Sequence, residues 1–236
     1  MARSLDASRY TCSMPVSHEY RAIFVHIPKC GGSSVERALG MHDDYRVENR
    51  THLYGRATSA DLQAIAGPVL YLQHLSAADL RRALIANGVT HAMLAEWKSF
   101  AFVRNPFDRL VSAWAGQDPD LRACARAQGI ELRGLSFAQF VDASVLIDHP
   151  HVAPQVPFIY GAGGVQQVDF IGRFERLADD FERVCDLLQL EGDARPVLPH
   201  SHRSSHAHYR DLFDVRSRTL AMRRYREDLA VLGYDF

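Results

Sequence analysis

Residues 22–34 read Ala22-Ile23-Phe24-Val25-His26-Ile27-Pro28-Lys29-Cys30-Gly31-Gly32-Ser33-Ser34. Ile23 to Ile27 is a short apolar run rich in β-branched residues, which suits a buried strand. Pro28 ends it, and Val35 to Leu39 opens a helical pattern. Between them lie a lysine, two glycines and two serines. A strand, such a loop and a helix together form a site able to hold a phosphate. Glycines let backbone N–H groups approach an anion, and the helix N-terminus adds uncapped donors and partial positive charge. Lys29 supplies a full charge, and Ser33 and Ser34 supply hydroxyls. The plainer alternative is an ordinary strand-to-helix turn. The loop is not a Walker A motif, which places four residues between its glycines and a lysine after the second.

A second segment, 99–114, reads Ser99-Phe100-Ala101-Phe102-Val103-Arg104-Asn105-Pro106-Phe107-Asp108-Arg109-Leu110-Val111-Ser112-Ala113-Trp114. Phe100 to Val103 reads as another buried strand. Asn105 suits an N-cap and Pro106 the first helical position. Phe107, Leu110, Val111 and Trp114 recur at helical spacing as a core face. Arg104 therefore sits where a strand passes into a helix, placed to grip a phosphate bidentately. The competing reading pairs Arg104 with Asp108 and leaves Ser112 as a small helix residue.

Both segments resemble motifs of the sulfotransferases that use PAPS (3′-phosphoadenosine 5′-phosphosulfate), in the carbohydrate branch that includes the uronyl 2-O-sulfotransferases. The first resembles the 5′-phosphosulfate loop, usually Ile-Pro-Lys-Thr-Gly-Gly-Thr-Ser, with Cys30 and Ser33 replacing the two threonines. The second resembles the 3′-phosphate motif. The resemblance implies donor binding by Lys29, Cys30, Gly31, Gly32, Ser33, Ser34, Arg104 and Ser112, with Arg109 as structural support. His74, in Leu70-Tyr71-Leu72-Gln73-His74, matches the family's general base. Asp148-His149-Pro150-His151-Val152-Ala153-Pro154-Gln155 resembles a His-Trp-Arg-Pro-Gln stretch, which implies His149, His151 and Gln155 at the substrate. Leu198-Pro199-His200-Ser201-His202-Arg203-Ser204 resembles a Leu-Pro-His-x-Asn-Lys-Ser loop and adds Arg203 and Ser204 to the donor site. The late run Val168 to Phe181 and the tail from Tyr225 also match.

Strand-like runs fall near 22–27, 69–73, 99–103 and 167–172. Helix-like runs fall near 33–40, 59–66, 76–86, 106–116, 119–128, 136–146, 175–189 and 214–232. Alternation of this kind predicts an α/β fold with a parallel sheet flanked by helices. The resemblance specifies a P-loop-like three-layer sandwich. Ligands in such folds sit beyond the carboxyl ends of the strands, where Lys29, His74 and Arg104 all fall. Residues 1–20 read as an N-terminal extension and 21–236 as a single catalytic domain. Loops 40–58 and 146–166 are candidates to face the substrate.

With 236 residues, 47% of them hydrophobic, the chain can bury a substantial core. A formal net charge of −1 speaks against a broad nucleic-acid surface. Cys12, Cys30, Cys124 and Cys185 show no paired metal spacing, and no cysteine joins the histidines at 200, 202, 206 and 208. No apolar run suggests a signal peptide or membrane span. Animal members of the resembled family usually carry an N-terminal Golgi anchor, so the resemblance implies a soluble bacterial version, expected to be cytoplasmic, or an excised catalytic domain.

The expected reaction is sulfuryl transfer from PAPS to an acceptor hydroxyl, with a glycan or glycoconjugate favoured, PAP (adenosine 3′,5′-bisphosphate) as product and no metal. The oligomeric state stays open. A small-molecule kinase is the first alternative. It would need a magnesium-binding hydroxyl after the lysine and an acidic strand end. Asp169 is the nearest acid, but Gln166 and Gln167 are too polar for the usual strand. A non-catalytic nucleotide- or glycan-binding module is the second alternative.

Overall fold

Val16–Ser17 (β1), Ala22–Val25 (β2), Lys98–Val103 (β3) and Phe170–Arg173 (β4) pair in the order β1-β2-β3-β4 in a computed structural model. The structure describes residues 15–17, 19–41, 72–86, 88–116, 118–199 and 207–236. β2, β3 and β4 run parallel, and β1 joins antiparallel through Val16 opposite Ile23. The sheet thus begins inside the stretch read as an N-terminal extension. Val25 lies beside Ala101, and Val103 beside Arg173. The three parallel strands therefore deliver His26, Arg104 and Phe174 to one end of the sheet.

β2 is buried along its whole length, as expected of a parallel strand covered on both faces. Phe24 stacks on Phe100 with ring centroids 5.1 Å apart and meets Phe102 edge-on. The helices Gly32–Ala38 (α1), Ala77–Ala86 (α2), His91–Glu96 (α3), Pro106–Gly116 (α4), Pro119–Ala127 (α5) and Phe137–Ser144 (α6) follow. Short α7 (Val156–Ile159) precedes β4, and α8 (Leu177–Leu187) follows it. α4 carries a second core, in which Phe107, Leu110 and Val111 pack with Phe137, Phe140 and Tyr225.

Three expectations change. α3, α7 and the one-turn α9 (Tyr209–Leu212) were not visible as periodic runs, being too short to show a face. The single helix expected over 214–232 divides into α10 (Val215–Arg224) and α11 (Arg226–Leu232) at Tyr225. There φ is −100° and ψ 21°, and the buried tyrosine donates its hydroxyl to the Val152 carbonyl at 2.9 Å. Leu72 and Gln73, expected in a strand, instead form a 3-10 turn with His74, anchored by side-chain bonds described below. Residues 69–71, the helix expected at 59–66, most of loop 40–58, and Arg203 and Ser204 lie outside the described residues.

Candidate active site

The loop after β2 needs its two adjacent glycines for different reasons. Gly31 has φ +83°, and a Cβ there would lie 2.9 Å from Leu177 Cδ2. A Cβ on Gly32 would lie only 2.1 Å from His26 Nε2. The imidazole of His26 therefore fills the space beneath the first turn of α1. The N–H groups of Gly32 and Ser33 open that helix, while those of Ser34 and Val35 donate to the Gly31 carbonyl at 3.1 and 3.4 Å. Ser33 is exposed beside them, whereas Ser34 is buried. The Cys30 thiol points inward, 3.4 Å from Gln155 Oε1, and burial pushes it up to about 12. Only the backbone of Cys30 is placed to serve an anion.

Lys29 adopts φ +69°, which is uncommon for a side-chain-bearing residue. Its ammonium group runs to the end of α4, where a Cβ on Gly116 would lie 2.5 Å from Nζ. Burial holds the Lys29 pKa below its ordinary value, against the opposing pull of Asp118. Arg104 donates from Nη1 to the Lys29 carbonyl at 3.0 Å and from Nε to Asp108 Oδ2 at 2.8 Å, with Nη2 2.7 Å from the same oxygen. Its guanidinium lies 4.0 Å above the Phe174 ring. The pairing with Asp108 weighed from sequence is therefore present. A guanidinium has five N–H donors. The three contacts engage one each, which leaves two donors without a partner among the described residues. Ser112 lies two turns further along α4 and is buried.

His74 is oriented by a backbone oxygen. Its Nδ1 lies 3.0 Å from the His26 carbonyl, which can only accept. The neutral ring thus carries its proton on Nδ1 and leaves a lone pair on Nε2. Burial, then the neighbouring His26, holds the His74 pKa well below the ordinary histidine value. The ring meets His26 edge-on at 4.8 Å and His151 at 5.5 Å. His151 in turn lies 3.5 Å from Asp118 Oδ1 and 4.9 Å, ring to ring, from His149. Burial lowers His151 strongly and His149 to about 4.

Arg109 brings these segments together. It is 1% exposed and donates to the carbonyls of Pro28, Pro150 and Ala153 at 2.9, 2.8 and 2.7 Å. The loop that carries His151 is thereby tied to the loop that carries Lys29. Gln155, expected at the substrate, is corrected. It is 0% exposed, and its amide accepts from Arg104 N at 2.9 Å and donates to Arg104 O at 2.8 Å. Asp228 accepts the backbone N–H groups of Gln155 and Val156. Gln155 holds the end of β3 in place and has no surface to offer an acceptor. His149, at 2% exposure, is also walled off from solvent.

Asp169, the acid that a kinase would need, lies at the amino end of β4. There it accepts from the N–H of Ser99 at 2.7 Å and its hydroxyl at 2.8 Å. It is at the far end of the sheet from Lys29. Sequence reasoning missed His26, Glu36 and Gln73. A signal was available for Glu36, which falls on the α1 face with Gly32, Val35 and Leu39, where a charge is out of place.

The family model described as Sulfotransferase family matches residues 13–235. The chain belongs to the Sulfotransferase family. Neither a curated protein nor a solved structure matches it. Sulfuryl transfer is the reaction of this family, and PAPS is its general donor. Lys29, Arg104, the Ser33 hydroxyl and the N–H groups of Gly32 and Ser33 are donors of the types that bind such a polyanion. Among the described residues, no helix of this sulfotransferase is long and apolar enough to cross a membrane.

Proposed function

We propose that this chain transfers a sulfuryl group from PAPS to an acceptor hydroxyl, a sugar hydroxyl being favoured, on a P-loop-like three-layer sandwich. The observation that carries this reading is the hydrogen bond from His74 Nδ1 to the carbonyl of His26, three residues before Lys29. It supports reading His74 as a base, its Nε2 lone pair close to the loop proposed to hold the anion.

PAPS supplies the activated sulfuryl group. His74 Nε2 accepts the proton as the acceptor oxygen bonds to sulfur. Lys29 stabilises the negative charge left on the bridging oxygen as its bond to sulfur breaks. Ser33, Ser34 and the opening N–H groups of α1 hold the 5′ end of the donor. Arg104 and Ser112 hold its 3′-phosphate, with Arg203 and Ser204 proposed as further donor contacts. His151, against His74 and Asp118, is proposed to border the acceptor. A single catalytic domain, a cytoplasmic bacterial setting and a metal-free chemical step complete the reading.

The test compares thermal shifts with adenosine 3′,5′-bisphosphate and with ATP plus magnesium, and then measures transfer of labelled sulfate from PAPS to glycan acceptors. Stabilisation by the bisphosphate and EDTA-resistant transfer are expected. A response to ATP plus magnesium alone would favour phosphoryl transfer. Bisphosphate binding without transfer to any acceptor would favour a binding module.

A further inference from the structure

The buried pair His26–Glu36 has no assigned part in the reaction. His26 Nδ1 donates to Glu36 Oε1 at 2.7 Å, and Glu36 is 0% exposed. The Gln73 amide donates to both Glu36 oxygens, at 3.1 and 3.0 Å. His74, the next residue, donates to the His26 carbonyl. Two neighbouring residues of one short turn are therefore fastened to two points of the β2–α1 segment. The His26 ring is also confined from above, because Gly32 leaves space for nothing larger than hydrogen.

We propose that Glu36 is a positioning residue for the base. It acts through His26 and Gln73, and never touches substrate. Burying a carboxylate is costly unless it is paired and hydrogen-bonded. Here three N–H bonds from the two side chains meet that need. They fix the distance between the loop that holds the donor and the turn that presents His74. In-line transfer demands this registration, since the base and the leaving oxygen flank the sulfur on opposite sides. Without the Glu36 anchor, the turn carrying His74 loses its link through the Gln73 side chain. The Nδ1–H bond to the His26 carbonyl, which sets the tautomer, must then hold the ring from a looser turn, so that the form with a protonated Nε2 becomes accessible.

The inference rests on the sulfotransferase reading only for its kinetic arm. Glu36→Leu keeps the approximate shape and removes both acceptors, while Glu36→Gln keeps one acceptor for His26. For Glu36→Leu the turnover is expected to fall by on the order of up to a hundredfold, the loss a misplaced catalytic group incurs. Affinity for adenosine 3′,5′-bisphosphate should stay within about threefold of wild type. Glu36→Gln should recover much of the rate.

The second arm is ¹⁵N NMR of the His74 ring, assigned by subtraction of a His74→Asn spectrum. Wild type should show protonated Nδ1 and bare Nε2. Glu36→Leu should show a mixture. If Glu36→Leu does not fold, Gln73→Met cuts the same link from the His74 side and takes its place in both measurements. A folded variant with wild-type turnover and an unchanged His74 tautomer overturns the proposal. If wild type neither binds the bisphosphate nor transfers sulfate, the sulfotransferase reading has failed. The NMR arm still decides whether Glu36 positions His74.

Discussion

Arg104, at the end of one strand, donates to the carbonyl of Lys29, in the loop after another, across 3.0 Å. A residue expected to bind phosphate thus also holds the backbone that presents the neighbouring cation. Lys29→Ala and Arg104→Ala should each weaken adenosine 3′,5′-bisphosphate by about ten- to a hundredfold, from roughly 1.5–3 kcal/mol per charge-assisted contact. Because Arg104 also supports Lys29, the double variant should lose less than the sum of the two. Calorimetry on the three variants measures this, and unchanged affinity in both single variants would remove the donor assignment.

His74→Ala should keep the nucleotide and lose the chemistry. A general base contributes about 10²–10⁴-fold to the rate, whereas binding of the bisphosphate should change by less than roughly threefold. Since burial holds His74 neutral well below its ordinary range, the acid limb of kcat/KM should lie below about pH 6.5. Near-normal turnover in His74→Ala combined with a dead His151→Ala would move the base to the second histidine.

Gly32→Ala tests the packing beneath α1. The added methyl would lie 2.1 Å from the His26 ring, which Glu36 and the sheet hold in place. Overpacking of this kind costs about 1–3 kcal/mol. A lower urea midpoint with a wild-type slope is expected. An unchanged midpoint would mean that His26 swings away easily.

Acid should destabilise the fold before it protonates the carboxylates. His74, His149 and His151 all have folded pKa values below their unfolded ones, with His149 at about 4. Between those values and about pH 6.5, the unfolded chain binds more protons than the folded one. This contribution is full above about pH 6.5 and is lost as pH falls through that window. Urea midpoints at pH 7.5 and 5.5 should differ, and His149→Phe should narrow the difference. Equal midpoints would contradict the burial of these rings.

The parts of the fold legible in the sequence were those with local signatures. The Ile23–Ile27 run, the Asn105-Pro106 helix start and the α4 stripe each announce themselves within a few residues, and the structure has β2, α4 and the end of β3 there. The meeting of Lys29 and Arg104 also followed, because a parallel sheet delivers both strand ends to one side, whereas His74 joins them from a 3-10 turn bonded to the His26 carbonyl rather than from the expected strand end. What remained hidden depends on distant partners. Gln155 reads as a polar loop residue until the Arg104 backbone and Asp228 enclose it. The break at Tyr225 reflects its bond to Val152, which no helical period encodes. Arg224 is similar: it donates to the carbonyls of Val145, Ile147 and Val152, fastening the histidine loop from its other side.

The left-handed backbone at Lys29 carries a cost that its chemistry conceals. A residue with a Cβ at φ +69° is strained by about 1–2 kcal/mol relative to glycine. Lys29→Gly should therefore raise the melting temperature while removing the charge on which the leaving oxygen depends. A laboratory selection for heat resistance alone would favour that change and return a sturdier, inactive protein. A selection that also demands turnover would have to find its stability elsewhere and leave this strained residue in place.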